Sequence, residues 1–378
     1  SSDVCSSDLL LFPATCTTIP AMTRALHVID AQTDEDMLSA LADLAGTDDE
    51  VVSVGPPPRA CLSFPIRPMH RPFHSAFLCG RRMQDLADRA RIIHAWSPVA
   101  ARAVAGLTRC RCGVVVSVPS ARQADELGLW GQEADAWPDN LLLTVPSDCA
   151  RQLVLSCGLS ERAVKVLPPP GQAVDHAQAV RARVRGELGL NDDHVLLAAP
   201  VPMQREAGQI EATWVHAIVW HIHGHTRLVL PGLGPGEPHA RHFARTVPTA
   251  DHVYLTGRSY TRREVLAAAD IALFLAPSEC GLGALADAMA AGTPIVATRN
   301  PEYDSLLADG LDAVLVPPRV IRTMADGVLR VLDDGDFARS LAAAAARKAR
   351  RLFDVPLARQ ALEDIYQAVA PAPDSARV

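Results

Sequence analysis

Residues 268–298, AADIALFLAPSECGLGALADAMAAGTPIVAT, decide the fold: they read as strand, Gly-rich loop, helix, Gly stop and second strand. Ile271 to Ala276 is a short apolar run bounded by Asp270 and Pro277, the pattern of a strand buried on both faces of a parallel sheet. Ala284 to Ala291 is rich in strong helix formers and is closed by Gly292, and Thr293-Pro294 leads into a second buried strand at Ile295-Val296-Ala297. The loop Ser278-Glu279-Cys280-Gly281-Leu282-Gly283 therefore feeds a helix N-terminus. Free backbone N–H groups and the positive dipole end favour an anion there. Two carboxylates flank this cradle, Glu279 on the loop and Asp287 on the helix, eight positions apart.

The rhythm extends outward in both directions. After Met22, Thr23 to Asp30 gives a first strand. Val51–Val54, Ile92–Ala95, Val114–Val118 and Leu141–Val145 follow, each succeeded by a helical stretch or a Pro-rich turn. The second half continues with Val195–Ala199, Leu228–Leu230, Val253–Leu255, Ile271–Leu275, Ile295–Ala297 and Val314–Val316. Strands alternating with helices imply parallel sheets covered on both sides, an α/β protein. Between the halves, the prolines of Val166-Leu167-Pro168-Pro169-Pro170-Gly171 cannot continue a helix or a central strand and mark a seam. Two Rossmann-like domains would face each other across a cleft at the carboxyl ends of their strands, where open α/β sheets take ligands.

Composition narrows the function. At 378 residues the chain has room for two cores, and an apolar share of 49% with 21% charged residues marks a globular protein. The net charge of −7 argues against a nucleic-acid partner, which would demand a basic surface. No apolar run is long enough to span a bilayer, which leaves peripheral membrane contact open. Nine cysteines are scattered without a secretory signal. Cys110-Arg111-Cys112 lacks the second pair that a zinc site needs, so reduced thiols and a cytoplasmic location are expected. His216, His221, His223 and His225 form a cluster in which the H-x-H-x-H alternation of the last three would suit a strand-borne metal site, but the segment from Glu211 to Trp220 reads as a helix ending near Gly224. Histidines there suit the helix dipole, and no metal is expected.

The 268–298 block resembles the retaining glycosyltransferases of the GT-B fold, the large group in which P-S-x-x-E-G-F-G-L-x-x-L-E-A-M-A-x-G-x-P precedes a strand ending V-V-A-T. Pro169-Pro170-Gly171 through Val174-Asp175 resembles that family's interdomain I-P-P-G-V-D segment. The resemblance is strong in the C-terminal half and loose in the N-terminal half. It implies a cytoplasmic retaining, hexosyl-type transferase using a nucleoside-diphosphate sugar as substrate, with no cofactor and a saccharide, lipid-linked or small-molecule acceptor. It also implies site roles. Glu279 would orient the donor sugar and Asp287 would hold the ribose. The backbone of Cys280, Gly281, Leu282 and Gly283 would cradle the diphosphate, while Gly232 and Gly234 of a G-x-G-P turn and Gly257 near the base would let the ligand approach closely.

The chain departs from the family at its cations. The basic pair G-R-x4-K-G on the loop after the first C-terminal strand is replaced by Ala199 to Gly208, with Pro202 at the Arg position and Ala207 at the Lys position. Arg205 lies on that loop as a substitute or as an ordinary solvated arginine. In the N-terminal half a family histidine is replaced by Pro119, His94 is the candidate on the acceptor side, and the Gly-rich loop gives way to Ala31-Gln32-Thr33-Asp34-Glu35-Asp36. That acidic loop would repel a diphosphate. A catalytically impaired relative that binds a nucleotide sugar or a partner is the alternative.

The expected organisation has four parts. Residues 1–21 are a leader whose Ser1–Leu9 resembles a translated sequencing adapter, with Met22 the expected start. Residues 22–170 form the acceptor domain and 171–355 the nucleotide-sugar domain. Residues 356–378 are a helix returning to the N-terminal domain, with its tail.

Overall fold

The computed structural model describes residues 23–30, 33, 35–54, 67–68, 84–105, 112–118, 140–277 and 281–370. Seven strands make the first sheet: β1 (Thr23–Ile29), β2 (Glu50–Ser53), β3 (Arg67–Pro68), β4 (Ala90–Ala95), β5 (Gly113–Ser117), β6 (Leu141–Val145) and β7 (Val164–Val166), in the order β3-β2-β1-β4-β5-β6-β7. Six make the second: β8 (Val195–Ala198), β9 (Thr226–Pro231), β10 (Val253–Gly257), β11 (Ile271–Phe274), β12 (Ile295–Thr298) and β13 (Val314–Val316), in the order β10-β9-β8-β11-β12-β13. Neighbours pair in parallel throughout, and the order reverses beside the first strand of each sheet, the switch point at which such sheets open a crevice.

The continuous apolar runs form strands because both faces are covered. In the second sheet, Leu273 and Val296 face a core with Val215, Val219, Met324 and Val328, while Phe274 and Ala297 face Leu285, Met289 and Tyr303. In the first sheet, Ile29, Ile92 and Val115 pack under two helices, α1 (Glu35–Leu44) and α4 (Val355–Val369). Helix α4 is the end of the chain's described part, and it crosses back onto the first sheet. Its backbone comes so near β5 that a Cβ on Gly113 would lie 2.4 Å from the Val369 carbonyl oxygen.

The connector also does more than separate the halves. Val164–Val166 belongs to the first sheet as β7, and beyond the prolines the Gly171 N–H donates to Phe353 O at 2.7 Å. A side chain on Gly171 would meet Ala286 O at 2.6 Å, so the seam lies flat on the helix that carries Asp287. Among the described residues, no helix is long and apolar enough to cross a membrane.

Candidate active site

Four loops converge at the carboxyl ends of the second sheet. The helix after β11, α3 (Leu282–Ala291), is capped by Gly281 in the left-handed conformation (φ 74°, ψ 40°), so Leu282 and Gly283 form its first turn, two residues ahead of the expected start. Gly281 has no room for a side chain, because a Cβ would lie 3.1 Å from Val201 Cγ1 and 3.3 Å from Pro202 Cδ. Apolar atoms thus stand beside the cradle at the position where the family resemblance places an arginine. The loops after β9 and β10 are joined by the Gly232 N–H donating to Gly257 O at 2.8 Å, and both glycines have positive φ. Gly234 presses on the loop after β8, where a Cβ would lie 2.2 Å from Met203 O. Arg205 is exposed on that loop and makes no hydrogen bond or ion pair among the described residues. Glu279 and Cys280 lie outside the described residues, as does Pro119.

Asp287 is fully buried, and its carboxylate is committed to protein donors. Oδ2 accepts from Arg262 Nε and Nη2 at 2.9 and 2.7 Å. Oδ1 accepts from Arg263 Nε at 3.0 Å and from the Gln172 N–H at 2.9 Å. The side chain expected at the ribose therefore faces two arginines and the interdomain connector in this conformation. Both arginines come from the first turn of α2 (Arg262–Ala268), whose Thr261 and Glu264 form a capping box.

The same arginines reach across to the first domain. Asp36, Ser39 and Asp43 recur at helical spacing on one face of α1. Arg262 Nη1 donates to Asp36 Oδ1, and Arg263 Nη1 donates to Asp43 Oδ1 at 3.0 Å and Nη2 to Ser39 Oγ at 3.3 Å. Asp36 Oδ2 also accepts from the Gly283 N–H at 3.1 Å, and a Cβ on Gly283 would lie 2.8 Å from Asp36 Cγ. The carboxylate thus sits on the amide end of α3.

Glu35 lies alongside, its Oε2 3.0 Å from where a Cβ on Gly232 would stand. Burial pushes the Glu35 pKa up, with Asp36 and Asp287 adding and Arg262 opposing. Burial alone would lower the pKa of Arg262, but Asp287, Asp36 and Glu35 outweigh it and hold the guanidinium charged.

Sequence reasoning passed over Arg262 and Arg263, yet one signal was available. Two cations in the first turn of a helix oppose the macrodipole, so a compensating acid must lie near them in the fold.

His94 is corrected. It lies on β4 inside the first domain, fully buried, with Nδ1 2.9 Å from Tyr366 Oη on α4 and Nε2 2.7 Å from Ser117 Oγ. Its ring stacks on Trp96 at 4.1 Å. Both ring nitrogens are engaged away from the cleft, and burial, with a smaller push from His27, holds its pKa well below the usual value. The thiols also differ in part from expectation: Cys149 and Cys157 take part in no disulfide, but Cys112 is disulfide-bonded.

His216 is a buried histidine on the helix Gln209–Ile222, its Nε2 3.3 Å from Thr226 O and its Nδ1 3.4 Å from Thr249 Oγ1. Among the described residues, no group of three or more His, Cys, Asp or Glu side chains is placed to hold a metal ion. A cavity of about 330 Å³, lined by Val174, Arg181, Asp270, Thr293 and Pro294, opens at the amino-terminal ends of β11 and β12, on the opposite side of the sheet from the glycine loops.

Two parallel-sheet domains of this topology, with a glycine-capped helix at their seam, make a GT-B protein. Solved structures share the architecture over nearly their whole length. HepE (Alr3699) from Anabaena, in complex with UDP and glucose, is 15% identical with a TM-score of 0.75, covering 91% of this chain and 99% of that one. Sucrose-phosphate synthase from Thermosynechococcus elongatus is 15% identical with a TM-score of 0.68, covering 91% and 98%. WaaG, a glycosyltransferase involved in lipopolysaccharide biosynthesis, is 14% identical with a TM-score of 0.65, covering 90% and 99%. At these identities the likeness establishes the fold. By sequence, residues 209–334 match the family Glycosyl transferases group 1. No curated protein matches the chain.

Proposed function

We propose that the protein is a glycosyltransferase that moves a hexosyl group from a nucleoside-diphosphate sugar to a saccharide, lipid-linked or small-molecule acceptor, with retention of anomeric configuration, in the cytoplasm. The observation that carries this reading is the amide end of α3 at Gly283, beside the joined glycine loops of Gly232 and Gly257, at the interdomain seam. In the transfer, the bond between the anomeric carbon and the diphosphate oxygen breaks with its electron pair leaving on the diphosphate. The acceptor oxygen forms the new bond, and its proton passes to the released diphosphate. Donors that meet the growing charge contribute roughly several kcal/mol when they are preorganised and dry. Leu282 and Gly283 amides, with Arg205 at the rim, are the assigned donors. Glu279 is assigned to the sugar.

A second reading, a relative that binds a nucleotide sugar or partner without turnover, is favoured by one observation: Pro202 and Val201 stand beside Gly281, where a cation is expected. Release of sugar from UDP-, GDP- and ADP-sugars by the chain from Met22, with and without acceptor, decides between them. Turnover lost in Glu279→Ala supports the enzyme. Tight diphosphate binding with no release, unchanged in that variant, selects the binding module.

A further inference from the structure

We propose that Asp36 and Glu35 act as an internal diphosphate, seated in the donor cradle of the closed molecule, and that a nucleoside diphosphate binds by displacing them and taking Arg262 as its cation. This rests on the reading of Gly281–Gly283 as the diphosphate site. An anion at a helix N-terminus wants a backbone N–H and a nearby positive charge. Asp36 has both, the Gly283 N–H on Oδ2 and the Arg262 guanidinium on Oδ1, although it comes from the other domain, 247 residues away in sequence.

Glu35 supplies the second anionic group. It stands over Gly232 in the adjoining loop, and among the described residues its side chain makes no hydrogen bond, so the Arg262 charge alone offsets the cost of burying it. Two adjacent carboxylates, one over each glycine loop, therefore occupy the places that two linked phosphoryl groups would take. The identity of the cation follows from the same geometry. The loop after β8 presents Val201 and Pro202 to Gly281, and Arg205 is exposed at its rim. Arg262 is the arginine in contact with whatever anion the Gly283 amide holds. When Asp36 withdraws, Arg262 keeps Asp287 through Nε and Nη2 and turns a free Nη1 toward the vacated position. Displacing Asp36 also removes one of the contacts that close the two domains, leaving those of Arg263 with Asp43 and Ser39, so donor entry loosens the seam.

The test is calorimetric titration of UDP, GDP, ADP and inorganic pyrophosphate into the full chain, its Asp36→Asn and Glu35→Gln variants, and Asp36→Asn/Arg262→Lys. Asp36→Asn keeps an acceptor for the Gly283 N–H while removing the competing charge. It should bind the preferred diphosphate at least tenfold more tightly than the parent, with pyrophosphate following the same order. Glu35→Gln should tighten binding in the same direction. Arg262→Lys, which keeps charge but loses the planar fork, should cancel most of the gain. Small-angle scattering should show the unliganded Asp36→Asn protein more extended than the parent. If the parent binds a nucleoside diphosphate and neither acid variant binds it more tightly, the internal diphosphate is refuted while the donor-binding reading stands. If no variant binds any of the four probes, both fall.

Discussion

Arg262→Met measures what the buried charge cluster contributes. The guanidinium is about as deeply buried as a core side chain and donates three hydrogen bonds, two to Asp287 Oδ2 and one to Asp36 Oδ1. Methionine fills comparable volume but donates nothing. Asp36 would keep the Gly283 N–H, and Asp287 would keep the Gln172 N–H and Arg263 Nε, both on Oδ1. Asp287 Oδ2, fully inaccessible to water, would lose both donors.

Removing one partner of a buried ion pair costs about 3–5 kcal/mol, most of it the penalty for the uncompensated charge left behind. The retained donors on Oδ1 place the expected loss near the lower end, about 3 kcal/mol. An exposed pair calibrates the scale. Arg299 bonds Asp304 at 2.9 Å and Asp309 at 3.1 Å with its side chain about half in solvent, and Arg299→Ala should cost less than about 1 kcal/mol.

Urea unfolding followed by tryptophan fluorescence reads both variants. A further Asp287→Asn in the Arg262→Met background neutralises the stranded charge and should restore part of the loss. The reasoning is refuted if Arg262→Met costs no more than Arg299→Ala, or if Asp287→Asn deepens the defect instead of relieving it.

Two further outcomes are expected. His216 is buried with its pKa lowered to about 4, chiefly by burial, against 6.5 when unfolded, so the unfolded chain binds the extra proton first as pH falls. Its contribution, at most about 3 kcal/mol by linkage, should be intact above pH 6.5 and lost progressively down to about pH 4. Unfolding titrations of His216→Gln should show a shallower pH dependence across that window. Gly113→Ala places a Cβ 2.4 Å from a backbone carbonyl of α4, and neither backbone can give cheaply, so a loss of about 1–3 kcal/mol from overpacking is expected. Limited proteolysis should then release the C-terminal helix before any other element, whereas an unchanged cleavage pattern would disprove that close packing.

The strands were largely legible because parallel strands buried on both faces must be continuously apolar. Leu141–Val145 and Val314–Val316 appear with the boundaries their composition suggests. Val164–Val166 escaped for the opposite reason: Lys165 interrupts a three-residue run that leads directly into prolines, so nothing local separates the strand from the connector. Gly232, Gly257 and Gly281 were legible as turns, and each has positive φ. His94 misled because a polar residue at a strand end resembles a cleft residue until a helix from the far end of the chain is seen to cover it.

What the sequence determined by itself, then, is what depends on short-range periodicity and backbone permissiveness: two parallel sheets, their seam, and a glycine-capped helix with an anion-seeking end. Only the tertiary structure decided what that end holds. Acids in the first turn of α1 satisfy their own helix dipole, and so give no local sign of a distant partner. The choice of Asp36 for Gly283 and for Arg262 is made by two domains closing on each other, contacts between residues 247 and 226 apart that no local pattern encodes.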